Sequence, residues 1–151
     1  MEELRYTIYV NASPEEVWKV FVEPEGTRAV FFGSVLETDF KPGSSFRYVG
    51  PGNDGERTVH VYGEVLEFEP NVRMSYTEHP GPSYRDNHAE LETRVTLVLE
   101  PVGSATKLTL VNDRWPDGHP SYDNTRESWP MILSSAKTFA ETGKTMDFGW
   151  S

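Results

Sequence analysis

Between Leu4 and Val10, apolar and polar side chains alternate so that Leu4, Tyr6, Ile8 and Val10 share one face, the pattern of a half-buried strand. A helix follows at once. Ser13-Pro14-Glu15-Glu16 spells a capping box: Ser13 can accept from the Glu16 amide, Glu16 can reach back, and Pro14 takes the first helical position, where no amide is needed. Val17, Trp18 and Phe21 then fall on one helical face, Pro24 closes the helix, and Glu25 to Phe32 reads as a second short helix. From Val35 the chain is almost all strand, with turns at Lys41-Pro42-Gly43, Gly50 to Gly55, Glu69-Pro70-Asn71 and Pro101 to Ser104. The strands are expected at Val35 to Phe40, Ser45 to Val49, Arg57 to Phe68, Arg73 to Glu78, Glu90 to Leu99 and Thr106 to Arg114, forming an antiparallel meander. One connection, His79 to Asn87, is long, irregular and rich in Pro and Gly, as loops that border sites often are.

Counting by twos assigns the inward face: Leu91, Thr93, Val95, Leu97 and Leu99; then Leu108, Leu110 and Asn112; then Met74, Tyr76 and Glu78; then Phe46 and Tyr48. Arg57 to Phe68 fits no single register, because Val59, Val61 and Val65 are odd while Leu66 and Phe68 are even, and a bulge near Gly63 would reconcile them. In the last third, Trp129, Ile132, Leu133, Ala136, Phe139 and Ala140 recur at helical spacing, and Gly143 is placed as a left-handed cap. Pro130 either opens this helix or interrupts a longer one beginning near Tyr122; the longer, kinked helix is the favoured reading. Such a helix needs a sheet to cover. If the sheet curves around it, the space between becomes a cavity lined by Trp129, Leu133, Tyr76 and their neighbours. The class is α+β, a curved antiparallel sheet of about seven strands wrapped around a long C-terminal helix, with residues 1–143 as one domain and 144–151 as a tail carrying Phe148 and Trp150.

Several local sequences carry a family resemblance: Asn11-Ala12-Ser13-Pro14-Glu15-Glu16-Val17-Trp18, Lys41-Pro42-Gly43-Ser44-Ser45-Phe46-Arg47, Gly63-Glu64-Val65-Leu66-Glu67-Phe68-Glu69-Pro70, Arg94 to Asn112, and Trp129 to Gly143. They resemble the START-like (SRPBCC) superfamily and, within it, the group named after the activator of the ninety-kilodalton heat-shock protein's ATPase. The resemblance implies a helix-grip fold over nearly the whole chain. It also implies three kinds of function: holding a small apolar molecule, cyclase or dehydratase chemistry on a polyketide-like substrate, and contact with a chaperone. The matching motifs are caps, turns and core positions, which specify a fold far better than an activity. Members of the group often have a tryptophan near the end of the second short helix. Here Phe31 and Phe32 stand there, keeping an apolar wall and removing an indole N–H donor.

Composition narrows the choice. The 151 residues include no cysteine, which leaves no disulfide framework, thiolate metal site or cysteine nucleophile and fits a reducing, cytoplasmic setting. The 14 Lys and Arg stand against 24 Asp and Glu, for a formal charge of −10, which repels nucleic-acid phosphates and anionic membranes. Neither partner is expected. No apolar run approaches the length of a membrane span, and Glu64, Glu67, Glu69, Glu90, Glu92 and Glu100 read as a solvated sheet face.

The candidate ligand-binding residues are Trp18, Phe31, Tyr48, Met74, Tyr76, Asn112, Trp129 and Leu133. For the aromatic members, core packing and cavity lining are both open, and in a sheet wrapped around one helix the two merge. Asn112 and Glu78 point inward by parity. Either they orient a polar group of a ligand, or they lie near strand ends and reach solvent. His60 lies in the strand of uncertain register, where an exposed position is expected and an inward one would let it act as a general base beside Tyr76. Asp86-Asn87-His88-Ala89-Glu90 alternates metal-ligand types, but no further ligand is tied to it by spacing, so no metal or other cofactor is implied. No phosphate loop, nucleophile elbow or serine-histidine-acid order is present, and the enzyme reading ranks below the binding one. A small, largely apolar molecule, such as a lipid, polyketide or aromatic metabolite, is the expected partner, with chaperone contact as an alternative.

Overall fold

The computed structural model describes residues 1–149. In chain order they form β1 (Leu4–Val10), α1 (Pro14–Val22), α2 (Pro24–Val30), β2 (Val35–Thr38), β3 (Ser45–Pro51), β4 (Arg57–Glu69), β5 (Arg73–Pro80), β6 (Thr93–Val102), β7 (Ala105–Asp113) and α3 (Tyr122–Thr142). All seven strands join one curved antiparallel sheet in the order β1-β7-β6-β5-β4-β3-β2. Strands β2 to β7 are thus a meander, and β1 closes it by pairing with β7, Leu4 opposite Asn112 and Val10 opposite Thr106. Helices α1 and α2 pack on α3. No described helix is long and apolar enough to cross a membrane.

Local chemistry accounts for the helix ends. Ser13 Oγ accepts from the Glu16 amide at 3.2 Å, while Glu16 turns its carboxylate toward Lys19 at 3.5 Å. Pro24 does more than close α1. Glu23, extended at φ −91°, ends one helix and begins the next, so Pro24 is the first residue of α2. Gly26 fits there because a Cβ would stand 2.4 Å from Val20 Cα. Helix α3 runs from Tyr122 through Pro130 to Gly143, whose φ of 74° makes the left-handed cap. Pro130 cannot donate to the Arg126 carbonyl, and the Tyr6 hydroxyl of β1 donates to that oxygen instead, at 2.9 Å. A helix interior that would have lost a bond is therefore tied to the sheet.

The parity assignments hold in the core. Val95, Leu97, Leu99, Leu108, Leu110 and Met74 are at most 2% exposed, and each such side chain is worth roughly 1.5–3 kcal/mol on burial. Helix α3 meets this layer with Leu133 and Ala136, while Trp18 and Phe21 come from α1. The six glutamates assigned to the outer face are all exposed. Two expectations need correction. Glu90 to Glu92 is not strand; a 3-10 turn at His88–Glu90 precedes β6, although Leu91 is buried. The irregularity in β4 is not at Gly63 either. Pairing with β3 passes from Tyr48·Val61 to Val49·Val59, leaving His60 extra, and pairing with β5 passes from Val65·Tyr76 to Glu67·Ser75, leaving Leu66 extra. Gly63 has a different reason: a Cβ there would lie 1.8 Å from the Thr77 carbonyl oxygen of β5.

Candidate functional site

The bulge at His60 decides what faces inward near the open end of the sheet. Val61 opposes Tyr48 on the concave side and Tyr62 opposes Arg47 on the convex side, and the extra residue turns the His60 ring to the concave side as well. Beneath the N-terminal half of α3, Tyr48, His60, Val61, Tyr76 and Glu78 of the sheet enclose a cavity of about 370 Å³. Thr125, Ser128, Trp129 and Ile132 roof it from the helix. Its rim is Phe31, Phe32 and Ser34, where Phe32 (φ 53°) and Gly33 (φ 80°) turn the chain sharply from α2 into β2. A second lobe of about 470 Å³ shares His60, Val61, Glu78, Tyr84 and Thr125 and extends toward Trp115 and His119. Volumes of this order are typical of small-molecule pockets.

The walls are rigid aromatic surfaces. Phe31 stacks on Tyr48 with centroids 4.6 Å apart, Phe46 stacks on Tyr76 at 3.9 Å, and Phe46 meets Tyr48 edge-on at 5.4 Å. The Tyr48 hydroxyl donates to the Phe21 carbonyl at 3.1 Å. Tyr76 and Glu78 differ from it. Among the described residues no hydrogen bond or ion pair engages the Tyr76 hydroxyl or the Glu78 carboxylate, and both groups border the cavity. Glu78 is surrounded by protein and retains exposure only as a half-buried residue beside the cavity; that burial raises its carboxyl to about 7. Burial likewise pushes the Tyr76 phenol well above its ordinary value, with the Tyr48 and Glu78 charges adding to it, so its hydroxyl keeps its proton.

The irregular connection after β5 closes one side of the site through two tyrosine-histidine bonds. On the cavity side, Tyr84 Oη lies 2.5 Å from His60 Nδ1, and His60 Nε2 lies 3.2 Å from the Pro51 carbonyl. That carbonyl can only accept, so Nε2 carries a hydrogen and, in the neutral ring, Nδ1 accepts from Tyr84. On the convex side the pairing is reversed, with Tyr62 of β4 bonded to His88 Nδ1 and its ring stacked on His79. His119 is buried, and desolvation holds its imidazole below the usual value. Among the described residues no group of three or more His, Asp or Glu is arranged to hold a metal ion.

Over residues 11–141 the chain matches the family described as Activator of Hsp90 ATPase homolog 1-like protein. The chain belongs to that family. Three solved structures with the same fold, each with a TM-score of 0.72, illustrate how the Activator of Hsp90 ATPase homolog 1-like architecture recurs. The Aha1 dimer of Colwellia psychrerythraea is 19% identical, over 95% of this chain and 99% of that one. An HSP90 activator of Plasmodium falciparum is 18% identical, over 92% and 96%. DynU16, a protein of the dynemicin biosynthetic locus, is 22% identical over all of this chain and 51% of its own. At such identities these likenesses show the fold alone. No curated protein matches the sequence.

Within this Activator of Hsp90 ATPase homolog 1-like frame, four of the eight candidate residues come together on the cavity wall: Phe31, Tyr48, Tyr76 and Trp129. Trp18, Met74 and Leu133 are instead in the packed core, where α1 and the C-terminal half of α3 cover the sheet. Asn112 neither faces the cavity nor reaches solvent. It is fully buried, its Nδ2 donates to Thr93 Oγ1 (3.1 Å) and the Arg94 carbonyl (3.0 Å), and its Oδ1 accepts from Trp129 Nε1 at 3.2 Å. It fixes the tryptophan that roofs the site. His60, expected to be exposed, is half-buried on the wall because of its bulge. Ser34, Tyr84, Thr125 and Ser128 carried no sequence signal beyond lying in a loop or on the polar side of a helix. Of the tail, Met146, Asp147 and Phe148 border a small pocket with α2 and α3, and Trp150 lies outside the described residues.

Proposed function

We propose that this protein binds a small, largely apolar molecule in the cavity between the sheet and the N-terminal half of α3. The observation that carries the reading is an aromatic-walled space of about 370 Å³ in which two polar groups, the Tyr76 hydroxyl and the Glu78 carboxylate, have no protein partner among the described residues. Buried polar groups cost free energy unless they are paired, so a site that keeps two of them facing a cavity is suited to an occupant with polar atoms of its own. Phe31, Tyr48 and Trp129 supply apolar contact, at about 25 cal/mol per Å² removed from water. Trp18, Met74, Leu133 and Asn112 support those walls from behind. Amide-shift titration of labelled protein against a lipid and aromatic library, with native mass spectrometry of gently purified protein, tests this. Expected are saturable shifts clustered on Tyr48, Tyr76, Trp129 and their neighbours. A library that leaves those amides unmoved, together with purified protein that carries no bound mass, overturns the reading.

A second reading, cyclase or dehydratase chemistry on a polyketide-like substrate, is favoured by the inward turn of His60 beside Glu78 and Tyr76. It predicts that His60→Ala abolishes turnover and leaves substrate affinity within a few fold. Unchanged turnover removes it. Chaperone contact is supported by the family's name and by the HSP90-activator relatives, and a pull-down with the chaperone at low and high salt tests it.

A further inference from the structure

Glu78 is the acid that the binding reading leaves without an assigned partner. It lies on β5, two residues from Tyr76 and on the same face, where both lobes of the cavity meet. Among the described residues no cation forms an ion pair with it. The groups facing it are the neutral phenols of Tyr48 on β3 and Tyr76 on β5, His60 on β4, Tyr84 and Arg85 of the connection after β5, and His119 before α3. Burial is what raises the carboxyl, and Arg85 lies across the second lobe without an ion pair to it among the described residues. An unpaired carboxylate beside aromatic rings is the combination that recognises organic cations: the acid supplies the counter-charge, and ring faces attract the ammonium and its adjoining carbons. The formal charge of −10 on the chain acts in the same direction, attracting cations and repelling anions at long range.

We infer that the occupant of this cavity is an amine, an apolar or aromatic body seated against Phe31, Tyr48 and Trp129 with its protonated nitrogen on the Glu78 carboxylate and within reach of the Tyr76 hydroxyl. The inference rests on the binding reading above and specifies the chemistry of what is bound. An amine and a neutral carbonyl compound make opposite demands on Glu78. The amine needs the carboxylate, whereas a carbonyl would accept a hydrogen bond from the protonated acid. With a carboxyl at about 7, amine affinity weakens about tenfold from pH 8 to pH 6, while carbonyl affinity rises over the same interval. Because His60 and His119 line the same cavity, the carboxylate's own contribution to the pH dependence is isolated by substitution.

The test uses three amines, 2-phenylethylamine, tryptamine and 2-(1-naphthyl)ethylamine, each with its neutral alkyl counterpart and its carboxylate counterpart. Titration calorimetry and amide-shift titration are run on the full chain and on Glu78→Gln at pH 6 and pH 8. Glutamine keeps the side chain's shape and removes a charge that is costly to bury, so the variant is expected to fold. At pH 8 at least one amine binds tenfold or more tightly than its neutral counterpart, and loses that advantage at pH 6. In Glu78→Gln the amine weakens at least tenfold while the neutral compound stays within twofold. Equal or tighter binding of the neutral or carboxylate compounds overturns the amine inference and leaves the binding reading standing. So does an amine preference that survives Glu78→Gln. If none of the nine compounds moves the cavity amides, the amine inference falls; if the wider library also leaves them unmoved, the binding reading falls with it.

Discussion

The two halves of α3 cover the same sheet and do opposite things with it. Toward its C-terminus, Leu133 and Ala136 join Leu97, Leu99, Leu108 and Leu110 in one packed core, with α1 between, and the interior is closed. Toward its N-terminus, Thr125, Ser128 and Trp129 stand off from Tyr48, Tyr76 and Glu78, and the interior is open. Strand β5 passes from one regime to the other within four residues, from Met74 in the core to Glu78 on the cavity wall. The difference teaches where the fold keeps its stability and where it carries chemistry. One end is close-packed apolar volume; the other retains ionisable and hydroxyl groups that the core could not accommodate without partners.

Enlarging a void at the closed end is expected to have the greatest effect. Leu97→Ala should cost about 3–5 kcal/mol in urea unfolding, because the surrounding layer of leucines cannot collapse into the space. Next comes the link between the ends. Asn112→Ala removes the acceptor of Trp129 Nε1 and the donor to Thr93 and Arg94, and should cost about 2–3 kcal/mol while loosening the cavity roof, seen as exchange broadening of the Trp129 indole proton.

At the open end the sign reverses. The Glu78 carboxyl titrates at about 7 in the folded chain and near 4.5 when exposed, so between those values the folded state holds the extra proton and stability falls as pH rises. Glu78→Gln should therefore leave stability near pH 4 unchanged and raise it by about 2 kcal/mol at pH 8, the full shift being discounted because the group borders a solvent-accessible cavity. An equal gain at both pH values would mean that the carboxyl is not the source. The smallest change is expected from Tyr76→Phe, within about 0.5 kcal/mol, since the hydroxyl it removes borders the cavity and is engaged by no hydrogen bond among the described residues. A cost above about 1 kcal/mol would place Tyr76 with the closed end.

Much of the fold was legible in the chain. The run Leu4 to Val10 matched β1 residue for residue, and parity named the buried apolar side chains of β5 and β7 and the alternating ones of β6, while Ser75 and Thr96, on the opposite face, are buried as well. Parity also placed Tyr48, Tyr76 and Glu78 on the cavity side, and it failed in β4. Two bulges in β4 re-aim His60 and Leu66, and their positions depend on how β3 and β5 pair with that strand, which no local pattern in β4 encodes. Asn112 read correctly as inward, yet its partners come from β6 and α3, so a polar residue that looked available for a ligand is consumed inside the protein. Glu78 is the converse. Parity also placed it inward, but that no described residue hydrogen-bonds to it appears only when its surroundings are assembled.

Periodicity by itself determined the elements, their order and the face each one buries, because hydrophobic spacing and capping act over a few residues. Only the tertiary structure decided which inward positions are core and which are cavity. That distinction depends on how far the curved sheet stands from α3 at each end, a distance set by pairings between residues remote in the chain.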